Sequence, residues 1–207
     1  MIVAVDGPAA AGKGTLSRTL AAHFGLDHLD TGALYRAVGL RVLRAGGDPK
    51  DPLVAEREAK ELDAADLNHA ALRSMQAAEA ASQVAVIPAV RAALLQFQRD
   101  FAHRPPGARG AVLDGRDIGT VVLPDAPHKI FVTASAAARA KRRWLELSPE
   151  GRPPLAEVEA QVRQRDARDQ ERAASPLKPA PDAFLLDTTD LDIDAAFAAA
   201  KAYLSRR

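Results

Sequence analysis

Short apolar runs alternate along the chain with longer segments in which apolar residues recur every three or four positions. Runs of this length, rich in β-branched residues and bounded by polar residues or glycine, are typical of strands buried on both faces. The predicted strands are Ile2–Val5, His28–Asp30, Ala111–Leu113, Lys129–Val132 and Phe184–Asp187. Short buried strands separated by helices predict an α/β fold, with a five-stranded parallel sheet flanked by helices.

The segments between these runs have helical periodicity. Leu16, Leu20 and Phe24 are spaced to share one face of a first helix, which Gly25 is expected to end. A second helix is predicted from Thr31 into Leu43, and the Ala-rich region that follows is mostly helical in pattern with a break at Pro88. Charged helical sequence then runs to about residue 172 with a break at 148–154, and Ile193, Phe197 and Leu204 are predicted to share one face of a last helix.

Composition narrows the possible classes of protein. The 207 residues suffice for one substantial core, and 28 Lys and Arg against 27 Asp and Glu leave a net charge of +1. Near-zero net charge argues against nucleic-acid binding, which usually needs a basic excess. The absence of cysteine excludes disulfides, thiolate metal sites and a cysteine nucleophile. No stretch resembles a signal peptide or a membrane helix, so we expect a cytoplasmic protein without membrane or nucleic-acid partners.

The stretch "GPAAAGKGT" follows the first predicted strand and precedes the first predicted helix, where a phosphate-binding loop would lie. Glycines let the loop turn its amides inward, and a helix amino terminus attracts anions. A turn that merely connects strand to helix is the alternative, and it does not account for the lysine and threonine. The predicted nucleotide-binding residues are Gly7, Pro8, Ala9, Ala10, Ala11, Gly12, Lys13, Gly14 and Thr15.

Arginines suited to a second phosphate occur in three separate segments, since a guanidinium can bind phosphate through two hydrogen bonds. Arg36 follows the second strand, Arg116 lies in "DGRD" after the third, and "RDARDQER" places Arg165, Asp169 and Arg172 on one helix face. Arg36 alone has the alternative of an exposed helix position, and the last segment that of a solvated, ion-paired face. The "DGRD" cluster at a strand end is harder to explain without a charged ligand.

Six segments, taken in chain order, are similar to those of bacterial cytidylate kinases. They are "DGPAAAGKGT", "LDTGALYR", "AASQVAVIPAVR", "LDGRDIGTVVLPDAPHKIFVTAS", "RDARDQER" and "SPLKPAPDAFLLDTT". The resemblance implies a P-loop nucleoside monophosphate kinase fold and transfer of the γ-phosphoryl group of ATP to CMP or dCMP by a monomer. It also implies a single domain over 1–207, with a core (1–36, 88–138 and 173–207), a monophosphate-binding region (about 37–87) and a lid (about 139–172).

The resemblance assigns roles at the matching positions. Lys13, Arg116, Arg172 and Asp114 are expected to take part in catalysis, with Thr15 on Mg²⁺ and Asp114 near it. The expected substrate-binding residues are Thr31, Arg36, Ser82, Arg91, Arg116, Asp117, Arg165, Asp169 and Arg172. Among these, Arg91 and Asp117 would bind the cytosine edge, and a carboxylate there discriminates against uracil, which lacks the 4-amino donor.

The region from Leu62 to Ala81 departs from the family pattern. Cytidylate kinases commonly carry an inserted subdomain with strands here, whereas this stretch is short and shows no sustained alternation. We therefore predict a reduced insert formed by a loop and a helix. His69 and Arg73 within it are interpreted as surface positions or as neighbours of the monophosphate site.

Two other functions are compatible with the sequence. One is a P-loop kinase for another small acceptor, such as UMP, AMP or shikimate. The other is a nucleotide-dependent switch without useful turnover, although a switch needs only one nucleotide site and would not use so many phosphate-suited arginines. An RNA-binding role is disfavoured by the charge balance and by the few aromatic residues.

Overall fold

The computed structural model describes residues 1–107 and 109–206, without the side chains of Ala64, Asn68 and Arg73. Five strands form one sheet in which every pairing is parallel, in the spatial order β2-β3-β1-β4-β5. The strands are β1 (Ile2–Asp6), β2 (Asp27–Asp30), β3 (Ala111–Gly115), β4 (His128–Thr133) and β5 (Phe184–Asp187). The predicted five-stranded parallel sheet is therefore confirmed, with each strand within two residues of its expected position.

The described residues contain eight α-helices, which cover both faces of the sheet. They are α1 (Lys13–Phe24), α2 (Thr31–Arg44), α3 (Pro52–Lys60), α4 (Met75–Val84), α5 (Pro88–His103), α6 (Ala136–Glu146), α7 (Leu155–Glu171) and α8 (Ile193–Leu204). On one face, side chains of α1 and α8 pack against β1 and β4; on the other, α5 packs near β3. Burial of both faces explains why the strands are continuous apolar runs.

The helix boundaries follow from local sequence, with one correction to the predicted faces. Leu16 and Leu20 of α1 are buried as expected, and Gly25 ends the helix in the left-handed conformation at φ 64°. The expected face of α8 was wrong at Ile193, which is 61% exposed. Asp192 caps the amino end of α8 through the Ala195 amide, so the first turn lies at the protein surface and burial begins at Ala196.

The segment between α3 and α5 contains no strand in the part of the chain that the structure describes. Two short 3₁₀ turns precede α4, which packs closely on α2. This contact needs Gly39, since a Cβ there would lie 2.7 Å from the Ala80 Cβ. The predicted loop and helix are thus present; His69 is exposed beside Arg44, and the Arg73 side chain lies outside the described residues.

All five strands run in the same direction, so their carboxyl ends share one edge of the sheet. At this edge the phosphate loop follows β1 from Gly7, α2 follows β2 directly at Thr31, and the segment after β3 begins at Arg116. Ligands of open α/β sheets bind at this edge. No single helix among the described residues is long and apolar enough to cross a membrane. The pair α4 and α5 reaches that length and apolar composition only when the two helices are taken together, and they are bent by 102°.

Candidate active site

The loop between β1 and α1 has the backbone geometry of an anion site. Gly7 adopts φ 144°, and a Cβ at this position would lie 1.9 Å from the Val132 carbonyl oxygen, so only glycine fits. Gly12, at φ 88°, occupies the N-cap of α1 and has no side chain to bind the first helical amides. These amides and the positive end of the helix dipole therefore remain available to an anion.

Lys13 begins α1 and is only 6% exposed. Its Nζ donates to the Pro8 carbonyl oxygen at 2.9 Å. Burial lowers the pKa of Lys13 to about 7, and the neighbouring Arg116 acts in the same direction. An anion beside the Lys13 amine would favour the charged form of this group. The buried amine, with its lowered pKa and one hydrogen bond, is therefore suited to bind an anion.

A cleft of about 960 Å³ opens beside this loop along the carboxyl edge of the sheet. Its lining contains all the predicted substrate-binding side chains, together with Asp114, Lys13, Thr15 and the loop residues Ala9, Ala10, Gly12 and Gly14. The cleft lining does not include Gly7, Pro8 or Ala11. Gly7 lies against the Val132 carbonyl oxygen of β4, and Ala11 is packed in the core. The structure thus brings together residues that the sequence separates by more than 150 positions, although their individual roles stay predictions.

At the end of β2 and β3, three predicted residues already have protein partners. Thr31 Oγ1 donates to the Asp114 carbonyl oxygen at 2.8 Å. Arg36 lies 2.6 Å from the Asp30 carboxylate, and Arg36 keeps the pKa of Asp30 low although burial acts to raise it. The Asp114 carboxylate lies 2.6 Å from His28 Nε2, a contact that sequence reasoning missed. The parallel register of β2 and β3 places Asp30 opposite Asp114, directly before α2 begins at Thr31.

Arg116 connects "DGRD" to α7. Its Nε donates to Asp169 at 2.8 Å. Burial acts to raise the pKa of Asp169, but Arg116, Arg165 and Arg172 together hold it below its usual value. Burial and Arg116 lower the pKa of Arg165 to about 10. Among the described side chains, the buried Arg165 Nε and Ser82 Oγ have no hydrogen-bond partner, so the cleft contains polar atoms suited to a ligand.

A second ion pair lies deeper in the cleft, between Arg91 and Asp117. Their side chains are 10% and 6% exposed. The Arg91 guanidinium lies 5.9 Å from the ring centroid of Tyr35, and Arg172 Nη2 lies 3.7 Å from Asp117 Oδ1. Asp117 is thus held between two arginines, with its carboxylate facing the cleft.

Arg139 is a further residue that sequence reasoning missed. It is 4% exposed at the start of α6, and it donates to the Ala9 carbonyl oxygen of the phosphate loop at 3.2 Å. It also pairs with Asp166 of α7 through two hydrogen bonds of 2.9 and 2.5 Å. Arg139 therefore links the loop to the helix that presents Arg165 and Asp169, and nothing in the sequence spacing of 27 residues indicates this pair.

Within the described ranges, no group of three or more His, Cys, Asp and Glu residues comes together in a way that could hold a metal ion. Thr15 and Asp114 both line the cleft and supply a hydroxyl and a carboxylate oxygen. Hydrogen bonds with Arg18 and His28, respectively, hold them in place.

Comparison with known proteins gives concordant matches. A model of the family described as cytidylate kinase matches residues 3–205. A cytidylate kinase of Paramagnetospirillum magneticum is 60% identical over 200 residues, which cover 96% of this chain and 95% of that protein. A cytidylate kinase of Granulibacter bethesdensis is 57% identical over 208 residues, covering 100% of this chain and 98% of that protein.

Two solved structures resemble this fold over nearly their whole length. One is an uncharacterised protein from Eubacterium ventriosum, with a TM-score of 0.61, 15% identity and coverage of 100% of this chain and 99% of that one. The other is a sugar kinase from Janibacter sp., with a TM-score of 0.53, 15% identity and coverage of 99% and 94%. At this level of identity the likeness bears on the fold alone.

Proposed function

This chain belongs to the cytidylate kinase family, and we propose on that basis that it transfers the γ-phosphoryl group of ATP to CMP or dCMP. The products are ADP and CDP or dCDP. The structural observation that carries this proposal is one cleft lined both by the phosphate loop and by arginines from several other segments, among them Arg36, Arg91, Arg116 and Arg172. A donor and an acceptor phosphate can thereby be held side by side.

The donor half of the cleft fits the phosphates of ATP. The amides of the Gly7–Gly12 loop and the amino end of α1 bind phosphate oxygens, and Lys13 supplies a charge for the β- and γ-phosphates. Mg²⁺ would be held by Thr15 with Asp114 nearby, an all-oxygen donor set that this ion prefers alongside substrate phosphates. When bound, Mg²⁺ supplies further neutralisation of phosphate charge.

The acceptor half fits a nucleoside monophosphate. Arg36, Arg116 and Arg172 bind its phosphate, with Thr31 beside them, and the buried Nη2 of Arg172, which makes no hydrogen bond to the protein, supports this assignment. Arg165 and Asp169 hold the ribose. Arg91 and Asp117, with the unpartnered Ser82 hydroxyl, bind the cytosine edge, where the Asp117 carboxylate accepts a hydrogen bond from the 4-amino group.

The reaction needs positioning and charge neutralisation more than covalent chemistry. The phosphate oxygen of CMP attacks the γ-phosphorus in line, and we assign no general base because this oxygen is already anionic near neutral pH. Residues 139–172 lie mostly in α6 and α7, which pack against each other, and we propose that this helical pair acts as a lid that excludes water. Arg139 ties the base of this lid to the phosphate loop.

We further propose that the protein acts as a cytoplasmic monomer on small molecules. Its net charge of +1 gives it no general attraction to nucleic acid or to an anionic membrane. Sedimentation equilibrium at working concentrations tests the oligomeric state, and a dimer would contradict this proposal.

The function is tested by measuring ADP formation from Mg-ATP with CMP, dCMP, UMP, AMP and shikimate in parallel. We expect rapid turnover with CMP or dCMP alone. Equal rates with UMP would show that the reduced insert has changed base selectivity. The absence of turnover with every acceptor, in a sample that binds ATP, would instead support a nucleotide-dependent switch.

Binding of Mg-ATP should take up a proton above pH 7. The pKa of Lys13 is lowered to about 7 in the free protein, and bound triphosphate favours the charged amine, which raises this pKa. At pH 8 we expect an uptake of about one proton per site and an affinity that falls up to about tenfold per further pH unit. Calorimetric titration in buffers of different ionisation enthalpy measures this uptake. Lys13→Met should abolish it, and a wild-type enthalpy independent of buffer would contradict the assignment.

A further inference from the structure

Asp6 is a buried carboxylate that lies outside the lining of the cleft. It is the last residue of β1, directly before the phosphate loop, and is 4% exposed. Its two carboxylate oxygens accept hydrogen bonds from the backbone amides of Ile118 and Gly119, both at 2.7 Å. One side chain thus connects the donor loop to the segment immediately after Arg116 and Asp117.

These two amides open a single π-helical turn, Ile118–Val122, whose N-cap residue is Asp117. An aspartate at an N-cap ordinarily accepts from the amide of the second or third residue of its own helix, which here are Gly119 and Thr120. Asp117 makes no such bond, and Asp6 accepts instead from the Gly119 amide, as well as from that of Ile118, from a neighbouring strand. The Asp117 carboxylate is consequently free to face the cleft, where it pairs with Arg91 and lies near Arg172.

We infer that Asp6 is a positioning residue for base selection: by capping the turn in place of Asp117, it leaves the Asp117 carboxylate available to the cytosine 4-amino group. The inference rests on the proposed function, and it adds a selectivity determinant outside the base-binding residues themselves. Single π-helical turns are frequent at functional sites.

The energetics of Asp6 agree with this role. Burial raises the pKa of Asp6 to about 6, although the two backbone hydrogen bonds and Lys13 lower it. An ionised carboxylate in this position is therefore costly for folding, and an apolar residue would avoid that cost. Only an acceptor with two oxygens satisfies both amides at once, because an asparagine offers one oxygen and sets its own N–H group against the second amide.

Asp6→Asn is the decisive variant, measured through kcat/KM for CMP and for UMP and through KM for ATP. The unpaired amide should draw Asp117 back onto its own turn. We expect the CMP-to-UMP selectivity to fall by about tenfold, as for loss of one buried hydrogen bond to a charged group. KM for ATP should change less than about twofold, since the loop amides remain in place. Asp187→Asn, which alters an exposed strand-end aspartate that accepts from Thr189, should leave all three constants unchanged.

A double-mutant cycle separates this role from general loosening of the site. If Asp6 acts through Asp117, then Asp6→Asn should cause no further loss of selectivity in an Asp117→Asn background. An equal loss in both backgrounds, or unchanged selectivity in the single variant, would overturn the inference. If Asp6→Asn does not fold, Gly119→Ala crowds the same contact, since its Cβ would lie 3.3 Å from Asp6 Oδ2, with the flexible Lys129 side chain at 3.2 Å. Unchanged CMP-to-UMP selectivity in Gly119→Ala would also refute the inference. A wild type without CMP turnover would refute the proposed function, and with it this inference.

Discussion

Lys13→Met is expected to lower kcat by about 10²–10³-fold, the loss typical when one preorganised charge on a transferring group is removed. Lys13 lines the cleft at the start of α1 and is the cation of the phosphate loop. The fold should survive, because burial already disfavours the charged form of this side chain, as its pKa of about 7 indicates. Removing a desolvated amine should therefore leave the free energy of unfolding unchanged or higher.

Steady-state kinetics with Mg-ATP and CMP, together with urea unfolding, test this expectation. Lys201→Met is the matched control, since it makes the same substitution at an exposed position of α8 and should retain full kcat. A kcat for Lys13→Met within threefold of wild type would contradict the role proposed for Lys13. So would a loss of activity fully explained by unfolding.

Asp117→Asn is expected to lower kcat/KM for CMP by roughly 10²-fold, the kinetic equivalent of ~3 kcal/mol for breaking one partner of a buried charged pair. The substitution leaves the volume almost unchanged but removes the acceptor for the cytosine 4-amino group and unpairs Arg91. An asparagine amide can donate to the uracil 4-carbonyl, so kcat/KM for UMP should rise or stay constant while that for CMP falls.

The same assay with CMP and UMP in parallel measures this change in selectivity. Asp100→Asn is the matched control, because it removes the carboxylate of another Asp–Arg pair, with Arg104, whose side chains are 44% and 77% exposed. Exposed pairs contribute little, so its constants should equal those of the wild type. An equal fall for CMP and UMP in Asp117→Asn would show that this residue supports the site without reading the base.

The sheet and the phosphate loop were predictable because their determinants are local in sequence. A strand buried on both faces must be apolar along its whole length, and the Gly7 and Gly12 backbone angles admit little but glycine. Helical periodicity gave a wrong prediction at Ile193, which is exposed, because an apolar residue at a helical spacing can still lie on a first turn at the protein surface. For the acceptor side chains, the family resemblance predicted roles at the matching positions; the structure places these side chains around one cleft, and the roles stay predictions.

By itself, then, the sequence determined the strands and the helices between them, and it predicted the chemistry of two phosphate sites. Only the tertiary structure decided which partner each charged group takes. Asp6 binds amides 112 residues away, and the Asp114 carboxylate meets His28 across two strands that lie 86 residues apart. The reason is physical: periodicity and glycine patterns report backbone conformation, whereas a buried charge is satisfied by whichever groups the packed sheet brings within hydrogen-bond distance.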